Sequence, residues 1–370
     1  AFADCSSLTA VSLPSTLRFL GQSAYAGCSS MIDLTVPAGI VEMGESILAG
    51  CTSLKTLSVP YIGRSRDNAA ELTYLMGSDI PESLRSVQVT HALTLANDTF
   101  NNCSGIESIQ LASGLTAIGE NAFRNCAALD SLIIPETVTE IGAYAFSGCR
   151  GLKEILIPQT VTLLQKGILA GCDSLTKVTV PFIGESRSTP SPLTHLFYGA
   201  SIPSPLTAVT LTDADALDDY TFENCSRLKT ITLNKDLKTI GAYAFYNCRG
   251  LQTLTIPSTV TRIENNAFDG CTGLKKITIP SSVTSIGANA LLNCRSLTEV
   301  NIPFVGTSRY DSSAFATLFG GHKDIPVSLT KVTVTDSTTV KDNAFNGISS
   351  LKEIVYTQTV TDIGVSAFNG

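Results

Sequence analysis

Cysteine is the residue type whose number and spacing in this chain could do chemistry. Thiols form disulfides or bind zinc, but zinc ligands come in close pairs such as C-x-x-C, which are absent here. The odd number of cysteines and the parallel direction of stacked side chains argue against disulfides. We therefore expect reduced, buried thiols that pack as small hydrophobic groups, with no metal and no cofactor. They recur every 23 residues within three groups: Cys5, Cys28 and Cys51; Cys103, Cys126, Cys149 and Cys172; Cys225, Cys248, Cys271 and Cys294.

The remaining residues capable of chemistry do not form a catalytic pattern. The three histidines, His91, His195 and His322, have no acid or nucleophile at a suggestive spacing. The chain has no metalloprotease, nucleophile-elbow or phosphate-loop motif, so we expect no enzyme. An acidic run could bind calcium, but most of its carboxylates do not recur in the equivalent stretches, which favours a solvated turn. That run contains Asp213, Asp215, Asp218 and Asp219.

Composition excludes two further classes of function. The chain is 44% hydrophobic and 15% charged, with a formal net charge of −7. No apolar run approaches the ~18 residues that span a bilayer, so we expect no membrane span in this segment. The lysines and arginines are scattered, which argues against a nucleic-acid partner.

The cysteine spacing is part of a longer repeated unit. In residues 129–151, LDSLIIPETVTEIGAYAFSGCRG, the alternation of Leu132 and Ile134 predicts a short strand that ends at Pro135. The V-T-x-I-G piece predicts a second extended segment that ends at Gly142, and A-Y-A-F-x-x-C predicts one helical turn. A unit this small must stack on its neighbours to bury its apolar side chains, which predicts a solenoid.

The repeats predict a β-rich α/β solenoid, a right-handed superhelix over residues 1–370 with one long parallel sheet. At roughly 4.8 Å per strand, about fifteen strands would span about 70 Å. We expect these strands to start at residues 8, 31, 54, 84, 106, 129, 152, 175, 206, 228, 251, 274, 297, 329 and 351. The chain starts and stops at the same phase of the repeat, so we expect an excerpt of a longer array.

The repeated phrase resembles a known family. The text I-P-x-x-V-T-x-I-G-x-x-A-F-x-x-C-x-x-L-x-x-I-x-I-P, seen at 134–158 and 256–280, is similar to the BspA-like class of leucine-rich repeats. The resemblance covers essentially the whole chain. It implies a location on a cell surface or outside the cell and a role in adhesion to host proteins, other cells or matrix. It implies no shared catalytic residues.

A second period of about 122 residues is superimposed on the first. Every fifth unit is followed by an insert: residues 60–81, 181–203 and 303–326. Each insert contains an aromatic residue, a Ser-Arg pair and a short amphipathic piece that predicts a helix. The units that lead into the inserts carry Leu48, Leu169 and Leu291 where others carry Phe or Tyr, so we expect the insert helix to pack there.

Two interpretations of the inserts stay open. In one, they are structural brackets that cover an edge and set local curvature. In the other, they are recognition loops on a rigid scaffold. The arginines could pair with scaffold carboxylates, which we favour, or reach outward to a ligand. The candidate partner-binding residues are Tyr61, Arg66, Phe182, Arg187, Phe304 and Arg309.

The outward position of the strands is strongly biased to threonine, for example Thr210, Thr232, Thr255 and Thr278. This pattern fits either β-propensity on a solvated surface or a polar platform that binds protein or glycan. The sequence thus favours an extracellular adhesion module whose inserts, roughly 24 Å apart along the sheet, make several weak contacts. The alternative is a structural subunit of an extracellular filament, stalk or sheath that self-associates along the solenoid axis.

Overall fold

The computed structural model describes residues 1–198, 200–311 and 313–370; Gly199 and Ser312, within the second and third predicted inserts, lie outside the described residues. The chain divides into two compact units, Ala1–Val178 with Thr194–Pro205 and Thr179–Leu193 with Leu206–Gly370. Each unit is built of parallel strands stacked repeat on repeat. The solenoid class is therefore confirmed, while one unbroken solenoid over 1–370 stays a prediction.

The strands are short and are numbered along the chain. They are β1 (Phe19–Leu20), β2 (Asp33–Thr35), β3 (Glu42–Met43), β4 (Thr56–Val59), β5 (Gly63–Ser65), β6 (Asn68–Ala69), β7 (Ser86–Val89), β8 (Thr94–Leu95), β9 (Ser108–Gln110), β10 (Ala117–Ile118), β11 (Glu140–Ile141), β12 (Glu154–Leu156), β13 (Leu163–Leu164), β14 (Lys177–Val180), β15 (Gly184–Ser186), β16 (Thr189–Pro190), β17 (Ala208–Leu211), β18 (Ala216–Leu217), β19 (Thr230–Thr232), β20 (Thr239–Ile240), β21 (Thr253–Thr255), β22 (Arg262–Ile263), β23 (Lys276–Thr278), β24 (Ser285–Ile286), β25 (Glu299–Ile302), β26 (Lys331–Val334), β27 (Thr339–Val340), β28 (Glu353–Tyr356) and β29 (Asp362–Ile363). One α-helical turn, α1 (Thr73–Met76), and 3-10 turns at Leu193–Phe197, Phe315–Phe319 and His322–Asp324 complete the set.

The first unit contains two kinds of parallel sheet. Its main sheet runs β2, β4, β7 and β9, and it pairs equivalent residues of successive repeats, such as Leu57 with Val87. The second sheet runs β8, β10, β11 and β13, where Ile118 pairs with Ile141. Because side chains alternate along a strand, this register places the apolar residue of each repeat above its counterpart in the core.

The second unit has the same design. Its main strands include the pair β17 and β19 and the run β21, β23, β25, β26 and β28, and its second sheet runs β18, β20, β22 and β24. The predicted main strands are present in every repeat except the two expected to start at residues 8 and 129, which have no main strand among the described residues. Both of these repeats belong to the first unit.

The segment predicted as a helical turn is not helical. Tyr144 has a φ of 55° and Gly148 a φ of 75°, which is left-handed backbone. Alternate N–H groups donate to the next repeat: Tyr144 to Lys166 at 3.1 Å and Phe146 to Ile168 at 3.0 Å. The segment is thus a chain of tight turns, because its peptide groups bond between repeats rather than within one helix. Phe146 is nevertheless fully buried, as the pattern predicts.

Aromatic rings and thiols fill the core beside these turns. In the first unit Phe123 stacks on Phe100 and on Phe146, with ring centroids 5.4 Å apart in each pair. Beside them the thiol of Cys149 donates to the carbonyl oxygen of Phe123 at 3.1 Å, one repeat back. The cysteines are free, and all except Cys5 are buried, so the predicted burial of the thiols is confirmed for the other ten, while their reduced state stays a prediction.

The inserts are extra layers rather than helices. The first begins with an antiparallel hairpin of β5 and β6 and ends in α1, a single turn, so the expectation of helical inserts is not supported. The N–H of Leu48 donates to Leu75 O at 2.8 Å, and the N–H of Leu72 donates to Thr99 O at 2.7 Å. Leu48 therefore lies against the insert, as predicted from the presence of leucine where other repeats carry an aromatic residue.

The extra layer exists on one side of the solenoid only. In the first unit β4 pairs directly with β7, although the first insert separates the turns of the same two repeats. In the second unit β25 pairs directly with β26, while Leu291 N–H donates to Leu318 O at 2.8 Å and Phe315 N–H to Ala344 O at 2.9 Å. Each of these inserts is thus a local wedge in the stack.

Candidate recognition surfaces

The predicted threonine row lies on the main sheet of the second unit. Thr210 pairs with Thr232, and Thr255 pairs with Thr278, across neighbouring strands. Thr232, Thr255 and Thr278 are exposed, and Thr210 is half-buried. The adjacent inward residues are buried in the core. The strands therefore hold these hydroxyls outward at the spacing of the repeat.

A row of alternating charge runs beside the threonines. Thr253, Lys276, Glu299, Lys331 and Glu353 occupy equivalent positions in register on successive strands. Lysine and glutamate Nζ–Oε1 distances are 2.9 Å for Lys276–Glu299 and 3.0 Å for Lys331–Glu353. Exposed pairs contribute only about 0.2–1 kcal/mol each, so they fix side-chain positions more than stability. Sequence reasoning missed this row, although the L-K-E and L-T-K stretches carry its signal.

The three insert aromatics are buried in the core, and their role in partner binding stays a prediction. Tyr61, Phe182 and Phe304 are 2–3% exposed. Each follows a main strand, and its burial covers the base of the insert. Burial, with Glu42 and Tyr74 nearby, raises the pKa of Tyr61 to about 12. A partner that binds the described surface cannot reach these rings.

Two of the three insert arginines brace the scaffold. Arg187 forms an ion pair with Asp213, and Arg309 forms one with Asp336. Arg309 also donates to Ser281 O at 2.8 Å. These contacts agree with the scaffold interpretation and occupy the guanidinium groups.

Arg66 differs from the other two insert arginines. His91 stands at the position that Asp213 and Asp336 occupy after the other two inserts. Arg66 is exposed and has no ion-pair partner within the described part of the chain. It is the candidate arginine that stays accessible.

The insert flanks in the first unit differ in their chemistry. Beside the first insert, a cavity of about 710 Å³ is lined by Glu45, Glu71 and Tyr74 among others. At the second insert, Lys166 Nζ lies 4.6 Å from the ring centroid of Tyr198, which is half exposed. Glu45 and Lys166 stand at equivalent positions of the repeat. The surface beside the first insert is therefore acidic, whereas the equivalent surface beside the second insert is basic and aromatic.

The main-sheet surface of the first unit carries an apolar interruption. The outward residues of its paired strands are Thr35, Ser58, Gln88 and Gln110. The next two outward positions are Ile133 and Leu156, which are 86% and 53% exposed. A cavity of about 620 Å³ lies beside Ile133. Exposed apolar side chains within a polar surface mark candidate contact points for another molecule.

The buried thiols are unsuited to catalysis. Burial raises the pKa of the Cys103 thiol to about 12, and burial with nearby Glu223 does the same for Cys225. A nucleophilic cysteine needs a depressed pKa and access to substrate. No group of three or more histidine, cysteine or acidic side chains among the described residues is placed to hold a metal ion. No helix among them is long and apolar enough to cross a bilayer.

Comparisons with known proteins give the repeat type. The sequence model of one protein family, the BspA type leucine rich repeat region, matches this chain in six copies that cover residues 1–91, 80–186, 195–318 and 326–370. None of the curated proteins is similar enough to the chain to count as a match.

Several solved structures match the chain over most of its length. A leucine-rich repeat protein from Bacteroides ovatus is 25% identical, covering 78% of this chain and 82% of its own, with a TM-score of 0.42. A leucine rich cell surface protein from Faecalibacterium prausnitzii is 20% identical, covering 93% and 84%, with a TM-score of 0.30. The pneumococcal vaccine antigen PcpA is 20% identical, covering 90% and 91%, with a TM-score of 0.37.

Proposed function

Because the chain belongs to the BspA-type leucine-rich-repeat family, we propose that it is a non-enzymatic recognition module that acts outside the cell or on its surface. Its ligand is a protein or glycan on another cell or in the matrix. The ligand contacts the outward side of the main sheets and the accessible flanks of the inserts. Several weak contacts made together supply the affinity.

The observation that carries this proposal is that the contacts that attach the inserts recur, while the surfaces beside the inserts differ. We call the recurring contacts the insert frame: Leu48 and Leu169 each donate an N–H to an insert carbonyl at 2.8 Å. The flanks do not repeat, because Glu45 is exchanged for Lys166 and the exposed Tyr198 is added. A purely structural bracket needs the frame alone. Variable chemistry on a fixed support is typical of recognition surfaces.

The threonine row supports the same proposal. Thr232, Thr255 and Thr278 are exposed and held by paired strands, so a bound ligand orders little additional protein. Pre-organised contacts lower the entropic cost of binding. Hydroxyl groups at regular spacing suit a polar partner such as a glycan or a hydrophilic protein surface.

The test is a screen of the whole chain against glycan and matrix-protein arrays, followed by two sets of variants. The first set replaces Thr232, Thr255 and Thr278 with glutamate. The second combines Glu45→Gln with Lys166→Ala. Glu140→Gln is the control, since Glu140 is exposed on the second sheet. We expect at least one set to weaken binding of the captured ligand about tenfold while the control binds normally. Equal binding by all variants would refute both surfaces.

A further inference from the structure

Two tyrosines and a lysine form a corner on the surface beside the second insert. The rings of Tyr144 and Tyr198 lie with their centroids 6.1 Å apart and their planes at 71° to each other. Lys166 Nζ lies 4.6 Å from the centroid of the Tyr198 ring, and Tyr198 is 50% exposed. We call these three residues the aromatic corner; all of them belong to the first unit.

The backbone around the aromatic corner is adapted to hold Tyr144. Its φ is 55°, in the left-handed region that bulky residues rarely adopt, and the preceding repeat has Asn121 at this position. The following repeat has Gly167 at the equivalent position, and a Cβ atom there would lie only 2.6 Å from Cε1 of Tyr144. The Tyr144 ring therefore lies against bare backbone, and a larger residue at position 167 would displace it.

The aromatic corner differs from the first insert at each equivalent position. Where the second insert and its neighbouring repeats carry Tyr144, Lys166, Gly167 and Tyr198, the first insert and its neighbours carry Ser23, Glu45, Ser46 and Gly77. Three of these first-insert residues, Glu45, Ser46 and Gly77, line the cavity of about 710 Å³. Core packing does not need a tyrosine that is half exposed, so these differences change the surface while the insert frame stays the same.

The aromatic corner carries a positive charge that is available to an anion. Lys166 is exposed, and it forms no ion pair with any residue that the structure describes. The preceding repeat has the uncharged Ala143 at the equivalent position. A lysine ammonium group has three N–H donors, and its bonds to anionic oxygens are stronger than bonds between neutral groups. The corner thus places a cationic donor directly beside an accessible aromatic ring.

We propose that the aromatic corner binds an anionic sugar unit of a glycan, one whose charge is a carboxylate or a sulfate. The C–H face of the sugar packs on the exposed part of the Tyr198 ring, and the anionic group bonds to Lys166. A flexible acidic side chain of a protein would supply the charge but no rigid C–H face, so the two rings favour the sugar. This inference rests on the proposed recognition function and names the ligand class at one of its surfaces.

The probes are two pairs of labelled hexasaccharides, measured by fluorescence anisotropy with the whole chain. Hyaluronan hexasaccharide is paired with its carboxyl-reduced form, and sulfated maltohexaose is paired with maltohexaose, so each pair isolates one anionic group. We expect saturable binding of at least one anionic probe and about tenfold weaker binding of its neutral form. The anionic probe that binds identifies the group as a carboxylate or a sulfate.

Two substitutions test the corner itself, and each introduces the residue that the first insert carries. We expect Tyr198→Gly to weaken binding about fivefold, because the ring contact is lost. Lys166→Glu should weaken binding about tenfold or more, because repulsion replaces attraction. Lys238→Glu and Tyr220→Asn are the controls: both residues are exposed and belong to the second unit, and both variants should bind the probe normally.

Equal binding of the anionic and neutral probes, or of the anionic sugar and an acetylated triglutamate peptide, would overturn the inference. So would binding that Tyr198→Gly or Lys166→Glu leaves unchanged, or the absence of binding at about 10 mM. A ligand captured on the arrays that is lost by the threonine variants and kept by Tyr198→Gly and Lys166→Glu would leave the recognition function standing without this site.

Discussion

Two exchanges between phenylalanine and leucine at the turn test how the inserts fit the core. Phe123 is fully buried between Phe100 and Phe146, with centroids 5.4 Å from each. Leu48 is fully buried at the equivalent position, but its neighbour is the insert, at Leu75. We expect Phe123→Leu and Leu48→Phe both to destabilise the first unit, although each introduces the residue that other repeats carry.

The magnitudes follow from the two environments. Phe123→Leu loses two ring contacts of about 0.5–1.5 kcal/mol each, or about 1–3 kcal/mol in all. Leu48→Phe forces a larger side chain into the layer that the insert closes, and overpacking costs about 1–3 kcal/mol. For a unit of this size, 1 kcal/mol changes the Tm by about 2–4 °C. Each variant should therefore lower the Tm of the first unit by several degrees.

The assay is calorimetry of the whole chain, with hydrogen exchange to assign each transition to a unit. Glu140→Gln, on the exposed side of β11, is the control and should leave the Tm unchanged. An unchanged or higher Tm for Leu48→Phe would show that the insert layer does not exclude an aromatic ring. An unchanged Tm for Phe123→Leu would show that the ring contacts contribute little.

Three further predictions concern the thiols, the first insert and the repeat expected to start at residue 129. Burial raises the pKa of the Cys103 thiol from 9.0 to about 12, so the protonated thiol contributes its full stability to the folded state below pH 9, and this contribution is lost as the pH rises towards 12. The Tm should therefore fall between pH 8 and 10.5, and it should fall less steeply in Cys103→Ala. A Tm that does not change over this pH range would contradict the burial of the thiol. His91→Asp supplies Arg66 with a carboxylate at the position of Asp213 and Asp336, which pair with the other two insert arginines, and should stabilise the first insert by up to about 1 kcal/mol, measured as slower exchange of β5 and β6 amides; His91→Asn should not. The amides of residues 130–134, which make no backbone hydrogen bond to any other described residue, should exchange quickly, and slow exchange there would show that they are bonded.

The repeat made much of the core predictable. A period of 23 residues with fixed apolar positions leaves few ways to bury Leu57, Val87 and Phe146 together, and all three are buried. The thiol ladder was predictable for the same reason, since Ile348 replaces a cysteine without loss of the pattern. The sequence favours ion pairs between the insert arginines and carboxylates of the scaffold. It does not identify those carboxylates, because Asp213 and Asp336 lie outside the inserts.

What the sequence did not predict depends on contacts between repeats. The turn around Tyr144 resembles a helix in its local spacing, but its N–H groups bond to the next repeat. The insert piece around Leu75 has helical periodicity, yet at four residues α1 is too short to be more than one turn. An aromatic residue opens each insert, and the burial of Tyr61 accounts for that recurrence by packing at the insert base.

The orientation of the hydrogen bonds gives each unit an uneven mechanical strength. The turn bonds, such as Phe146 N–H to Ile168 O, and the thiol bond of Cys149 to Phe123 O join one repeat to the next. Tension applied along the stack is carried by all the interfaces in series, so the weakest interface should fail first and repeats should detach one at a time. Each event would release 23 residues, or roughly 8 nm of extended chain. A repeat that carries an insert would release more, which would mark the inserts as longer steps in a force-extension trace.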